Sequence, residues 1–150
     1  GRERFPIFID AKNEILSIKN ENLKVKRLEE NDLIKETARF LADGKIVGWF
    51  EGRTEWGPRA LGNRSILASP CLLEMKETLN IKIKKREPFR PFAPAVLESA
   101  VGDYFLSPDG KKLAPVPFME KVYTIKPEKR REIPAVVHID GTGRLQTVCE

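Results

Sequence analysis

Three segments of the sequence combine arginine or lysine with glycine or proline, a combination suited to anion binding. The first, residues 52–65, carries three arginines and three glycines. Glycine allows close approach of the backbone and frees N–H groups to point at oxygen atoms. Arginine adds a planar fork that matches phosphate or carboxylate, and Glu55 is expected to hold one guanidinium group in place. The alternative is a surface turn whose arginines pair with nearby acids.

The second segment, residues 82–94, has five cationic residues within nine positions and one acid, Glu87. Its prolines and phenylalanines form a stiff, apolar frame that would preorganise Arg86 and Arg90 for binding. A basic and aromatic strip is also typical of RNA binding, and a charged run is often a solvated face. Composition leaves these three interpretations open.

The third segment, residues 138–146, follows an apolar run, and ligands often bind at strand ends in open α/β sheets. Asp140 and Thr142 would orient a ribose, hold Mg²⁺ or shape a β-turn, since Asp-Gly is itself a hairpin signal. His138 is as consistent with packing as with catalysis. The turn and the binding site do not exclude each other.

Together these segments resemble one family. Residues 52–68 are similar to a G-R-x-E-(F/W)-G-P-R-A-L-G-N-R-S-I-L-A signature, residues 86–94 to R-E-P-F-R-P-F-A-P, and residues 138–146 to H-x-D-G-T-x-R-x-Q. The order is also the same. The family is the NodU-type O-carbamoyltransferases of nodulation and antibiotic tailoring, and the resemblance runs from about Ile46 onward.

The resemblance implies a two-domain enzyme of which this chain is similar to the C-terminal, YrdC-like part. There, ATP with Mg²⁺ and carbamoyl phosphate yield carbamoyl-adenylate, and an actin-like N-terminal domain with its own metal transfers the carbamoyl group to a hydroxyl. Lys84, Arg86 and Arg90 would clamp the phosphates as the catalytic residues. The remaining residues expected to bind substrate or nucleotide are Arg53, Arg59, Asn63, Arg64, His138, Asp140, Thr142 and Arg144.

The chain also departs from the family pattern. The family continues past Gln-Thr-Val into an Asn-Thr-Ser-Phe-Asn segment, whereas this sequence stops at Glu150 and starts at Gly1 without methionine. We therefore expect one domain, residues 1–150 with a lead-in over 1–30, that belongs to a longer protein. Its expected partners are ATP, carbamoyl phosphate and the N-terminal transferase domain, which holds the acceptor site and the metal.

Composition sets wider limits. A net charge of +5 and a pI near 9.3 favour an anionic partner. Two cysteines, Cys71 and Cys149, make neither a disulfide framework nor a metal site, and no signal peptide or membrane-length apolar run is present. We expect a reduced, cytoplasmic domain with no metal on this chain and no membrane partner. The rival interpretation is a non-catalytic basic module that binds RNA or a partner protein, with nucleic acid ranked below the nucleotide.

The elements that must position these residues alternate between helices and strands. Helical spacing starts at Asn31 and stops at Gly44, and Ser69-Pro70 marks the entry of a second helix. The predicted strands are residues 5–9, 46–50, 65–68, 122–125, 135–139 and 145–148. This pattern predicts an α/β or α+β fold with a mixed, twisted sheet and flanking helices, and the resemblance makes it YrdC-like.

Overall fold

A computed structural model describes residues 26–149. The strand predicted at residues 5–9 and most of the lead-in lie outside this part. The chain divides between Glu36 and Thr37 into two compact units. None of the helices within residues 26–149 is long and apolar enough to cross a bilayer.

The predicted first helix is confirmed as α1, Glu30–Ala42. It ends as its sequence predicts. Gly44 adopts a left-handed conformation with φ of +74°, and Lys45 N donates to Phe40 O over 2.8 Å. This backward bond pairs a carbonyl that the last helical turn would otherwise leave open.

The strands form three short pairs. The pairs are β1 (Val47–Phe50) with β2 (Arg64–Leu67), antiparallel; β3 (Ala95–Leu97) with β6 (Gln146–Val148), parallel; and β4 (Val122–Thr124) with β5 (Thr142–Arg144), antiparallel. Helices with parallel and antiparallel strands confirm the mixed α/β class. Within residues 26–149 the strands form three two-stranded sheets rather than one continuous sheet, because strands of three or four residues are separated by proline- and glycine-containing loops.

Short helical turns connect the strands. Helix α2 (Met75–Thr78) runs directly into a π-helical turn, Leu79–Ile83, and helix α3 spans Val101–Tyr104. The predicted strand at residues 135–139 is wrong. A 3-10 turn, Pro134–Val136, occupies its start, because proline fixes φ near the helical value and has no N–H for a strand ladder.

Two apolar clusters form the core, and Phe92 packs against both. The larger cluster contains Phe105, Ile125 and Leu145, which are almost completely buried. Each such side chain contributes about 1.5–3 kcal/mol of burial free energy. Leu145 lies in the third segment (residues 138–146) and Phe92 in the second (residues 82–94), so the larger cluster connects these two motifs.

Candidate anion-binding site

The glycine- and arginine-rich loop folds around the carboxylate of Glu55. Its Oε1 accepts N–H bonds from Leu61 at 3.0 Å, from Asn63, and from Arg64 at 3.3 Å. Partial desolvation raises the pKa of this carboxyl, but the backbone N–H groups lower it by more, so the net pKa lies below its ordinary value. The prediction that Glu55 holds a guanidinium is wrong, because its carboxylate instead accepts hydrogen bonds from backbone N–H groups of the same loop.

Arg64 serves the same loop. Its terminal nitrogens donate to the carbonyls of Glu51 at 2.6 Å, Asn63 at 2.8 Å and Gly52 at 3.1 Å. The guanidinium carbon also lies 3.5 Å from the centre of the Phe50 ring. These contacts stabilise the loop, so a ligand would have to compete for the donors of Arg64.

Arg53 and Asn63 are joined across the loop. The Asn63 side-chain amide donates to the Arg53 carbonyl over 2.7 Å, while the Arg53 side chain is exposed. The bond closes the mouth of the loop and leaves the Arg53 guanidinium on the surface.

The cationic side chains of the second segment differ in their exposure and in their partners. Lys84 ends the π-helical turn and is exposed. Arg90 forms a 2.8 Å ion pair with Glu87, both side chains being about half exposed at 53% and 52%. The pKa of Glu87 is lowered by its own backbone N–H and then by the charge of Arg90. Such an exposed pair stabilises little, so it leaves Arg90 able to exchange partners.

Arg86 is held more firmly than Arg90. Its Nε donates to Asn80 Oδ1 over 2.6 Å, and its guanidinium carbon lies 4.9 Å from the centre of the Phe92 ring. Phe92 in turn packs against both core clusters. The expected preorganisation of this arginine by a phenylalanine therefore has a structural basis.

The third motif is a hydrogen-bonded turn with a defined proton arrangement. Asp140 Oδ1 accepts from Thr142 N at 2.9 Å and from Thr142 Oγ1 at 2.7 Å, and Thr142 Oγ1 lies 3.0 Å from His138 Nδ1. A hydroxyl has one proton, and Thr142 donates it in the hydrogen bond to the Asp140 carboxylate. His138 Nδ1 must therefore donate to the threonine, which leaves Nε2 as the unprotonated nitrogen. That Nε2 is buried and has no hydrogen-bond partner among residues 26–149.

The surroundings of His138 favour its neutral imidazole, because they lower its pKa. Burial lowers its pKa, the charge of Asp140 raises it, and the charges of Lys76 and Arg144 lower it again, with a net decrease. Sequence reasoning missed Lys76, because a single lysine in an amphipathic helix has no local feature that distinguishes it.

The positive charges of Arg59 and Arg86 act on a third arginine, Arg144, and each of the three belongs to a different motif. Burial lowers the pKa of Arg144, and the nearby positive charges of Arg59 and Arg86 lower it further. Arg144 Nε is buried without a hydrogen-bond partner in the described part of the chain. In residues 26–149 none of the three forms an ion pair with a carboxylate. A group of positive charges without a direct ion pair suits an anion with several oxygens, such as a phosphate.

Gln146 connects the first motif to the third. Its buried side chain donates from Nε2 to the Leu61 carbonyl over 2.8 Å. The expected set did not include Gln146 as a site residue, although it stands in the third motif. The charges of Arg59 and Arg86 thus reach Arg144, and the charge of Arg144 reaches His138. Asn63 and Arg64 make their contacts within their own loop, and the Arg53 side chain is exposed.

The cationic donor set of the site fits phosphate groups. Within residues 26–149 no group of three or more His, Cys, Asp or Glu side chains could hold a metal. Asp140 Oδ1 already accepts two hydrogen bonds from Thr142.

These features define a mixed α/β domain with a cluster of basic residues. Residues 38–150 match the family model described as the carbamoyltransferase C-terminus, and the chain belongs to that family.

Curated relatives agree with this assignment. The chain is 48% identical over 118 residues to nodulation protein NolNO of Sinorhizobium fredii, covering 79% of the chain and 17% of the relative. It is 47% identical over 118 residues to nodulation protein NolO of Bradyrhizobium diazoefficiens, covering 79% and 21%. With nodulation protein U of Rhizobium tropici it shares 49% identity over 115 residues, covering 77% and 19%. The chain thus spans about a fifth of the length of these relatives.

Proposed function

We propose that this chain is the part of a carbamoyltransferase that binds ATP and carbamoyl phosphate and forms carbamoyl-adenylate. A separate N-terminal domain would then transfer the carbamoyl group to a hydroxyl acceptor, which makes the whole protein an O-carbamoyltransferase. The observation that carries the proposal is the buried Arg144 Nε, which has no hydrogen-bond partner in residues 26–149 and lies within range of the charges of Arg59 and Arg86. None of the three arginines forms an ion pair within these residues. Family membership supplies the carbamoyl chemistry.

The proposed reaction has a simple atom balance. A carbamate oxygen bonds to the α-phosphorus of ATP, the bond from that phosphorus to the bridging oxygen breaks, and pyrophosphate leaves. Because carbamoyl phosphate also loses its phosphate, one water is consumed for each carbamoyl-adenylate formed. The protein's task is then to position the anions and to offset their charge as it shifts in the transition state.

The described residues suit distinct parts of that task. Arg86 and Arg144 would bind phosphate oxygens, with Lys84 and Arg90 at the exposed edge of the site. The unprotonated, buried His138 Nε2 is an acceptor, which suits an N–H or O–H group of a substrate. Magnesium would neutralise the nucleotide phosphates. The cytoplasmic setting expected from two thiols, both of them free and exposed, stays a prediction.

Calorimetric titration of carbamoyl phosphate and of ATP·Mg²⁺ tests the proposal. We expect saturable binding of both, and we expect Arg144→Gln to raise the dissociation constants at least about tenfold, the effect of losing a charge-assisted hydrogen bond. Arg131→Gln is the matched control, because it makes the same charge change at an exposed position outside the three motifs. It should change binding less than about twofold.

RNA is the competing ligand in the same experiment. If the chain bound neither small molecule but bound RNA, with an affinity that fell linearly on a log–log plot against salt, the rival RNA-binding module would replace this proposal. Binding of none of the three by a folded chain would likewise refute it.

A further inference from the structure

A single buried asparagine, Asn80, is hydrogen-bonded to several residues of the second motif. Asn80 is completely buried, although asparagine is usually an exposed residue. It lies in the π-helical turn Leu79–Ile83, where Lys84 N donates to Leu79 O over 2.8 Å. Such turns are rare and occur frequently at functional sites. A buried polar residue at this position therefore calls for a specific explanation.

All the donors of the Asn80 side chain are used. Its Nδ2 donates to the carbonyls of Pro88 at 3.0 Å and Arg90 at 2.9 Å, and its Oδ1 accepts from Arg86 Nε at 2.6 Å. The Asn80 backbone carbonyl also accepts from Arg86 N at 3.0 Å. An amide with two donors and one acceptor group thus fastens both ends of the Arg86–Arg90 loop.

The arrangement has a direct consequence for Arg86. Its Nε is directed to Asn80, its guanidinium lies over Phe92, and its two terminal amino groups make no hydrogen bond within residues 26–149. Fixing one edge of the guanidinium in this way removes most of its rotamer freedom before a ligand arrives. Binding then costs less conformational entropy.

We propose that Asn80 is the positioning residue of the phosphate site, holding the Arg86 guanidinium and the Arg90 peptide in the arrangement that binds carbamoyl phosphate. This inference rests on the proposed function. It adds that the affinity of the site depends on one buried amide that does not itself touch the ligand. A purely structural amide would stabilise the fold equally well but would not be coupled to Arg86 in binding.

A double-mutant cycle separates positioning from stability. The variants are Asn80→Ser, Arg86→Gln and the double variant, and the probe is carbamoyl phosphate in calorimetric titration. We expect Asn80→Ser to raise the dissociation constant about tenfold, equivalent to about 1.4 kcal/mol. In the Arg86→Gln background the same change should have a smaller effect, of about threefold or less, because only the hold on the Arg90 peptide is then left to lose.

Thr147→Val provides the structural control. Thr147 is also buried and polar, and its Oγ1 accepts from Val116 N at 2.7 Å, so this variant removes a comparable buried hydrogen bond that involves no arginine of the three motifs. It should lower the unfolding temperature and leave binding unchanged. Equal loss of binding in Thr147→Val and Asn80→Ser would assign the effect to stability and overturn the inference.

NMR keeps the inference testable if Asn80→Ser does not fold. The Arg86 Nε–H resonance of the parent chain should exchange slowly with water, because it is bonded to a buried oxygen. Asn80→Asp, which keeps the size but cannot donate to Pro88 and Arg90, should also weaken carbamoyl phosphate binding. A rapidly exchanging Arg86 Nε–H would overturn the inference.

The outcomes also separate the two proposals. If the parent chain binds neither carbamoyl phosphate nor ATP·Mg²⁺, the proposed function fails, and the role of Asn80 fails with it. If the parent binds and folded Asn80→Ser binds equally well, or if the two substitutions act additively, only the role of Asn80 is refuted. Tight binding by the parent with strong coupling between Asn80 and Arg86 supports both.

Discussion

Gly141→Ala should destabilise the turn that carries the His138–Thr142–Asp140 hydrogen bonds. Gly141 is buried, has a φ of +78°, and faces the guanidinium of Arg130 so closely that an added Cβ would overlap it. Arg130 Nε donates to the Ile125 carbonyl over 3.2 Å. The substitution therefore combines backbone strain with displacement of Arg130 from its hydrogen bond.

The two costs can be estimated separately. A left-handed conformation costs a non-glycine residue about 1 kcal/mol. Loss of a hydrogen bond from a charged donor adds about 1.5 kcal/mol. For a chain of this size, the sum of about 2.5 kcal/mol corresponds to a fall of about 8 °C in the unfolding temperature.

Gly110→Ala is the matched control. Gly110 has a φ of +72° with no atom within 4 Å of an added Cβ, so it carries the strain without the collision. Thermal unfolding followed by circular dichroism should show a fall of about 3 °C for Gly110→Ala. In an Arg130→Ala background, Gly141→Ala should cost no more than the control does. Equal melting temperatures for Gly141→Ala and Gly110→Ala would refute this reasoning.

Three further predictions concern the site. The pKa of His138 is lowered on folding, so below a pH of about 6.5 the folded chain binds fewer protons than the unfolded chain. The free energy of unfolding should therefore fall as the pH decreases through this range. Urea titrations at several pH values should show that His138→Gln removes this part of the pH dependence. Thr142→Val removes the acceptor of His138 Nδ1, and ¹⁵N NMR should show the single Nδ1–H tautomer of the parent give way to a mixture. Gln146→Leu removes the bond to the Leu61 carbonyl, so amide exchange at Leu61 should accelerate about tenfold; an unchanged rate would mean that the loop does not depend on this contact.

Local sequence signals predicted most of the elements. Helical spacing and the left-handed Gly44 predicted α1, and β-branched or aromatic runs predicted β1, β2, β4 and β6 to within a residue or two. The run at residues 135–139 failed because its apolar side chains are accommodated by a turn that starts at Pro134, and Ile139 is fully exposed. Apolar composition identified the burial of Ala135 and Val136 without identifying the backbone conformation.

The site was predictable as a set of segments but not as individual roles. The similarity and order of the motifs predicted that the three segments share one site, and this stays a prediction. The charges of Arg59 and Arg86 do act on Arg144. The roles of three residues depend on tertiary contacts. Arg64 donates to carbonyls of its loop, Glu55 accepts from backbone amides, and Asn80 holds the second motif. Identical residue types would fit either use, so no local pattern distinguishes them.

The parallel pairing of β3 with β6 has a consequence during synthesis. Ala95 is paired with Gln146, so about 50 further residues must leave the ribosome before β3 meets this partner, which takes about 3–10 s at ordinary elongation rates. During that interval the edge of β3 lies open to pairing with another nascent chain. Synthesis of β6 therefore supplies the partner of β3 and ends the interval in which this strand edge lies open.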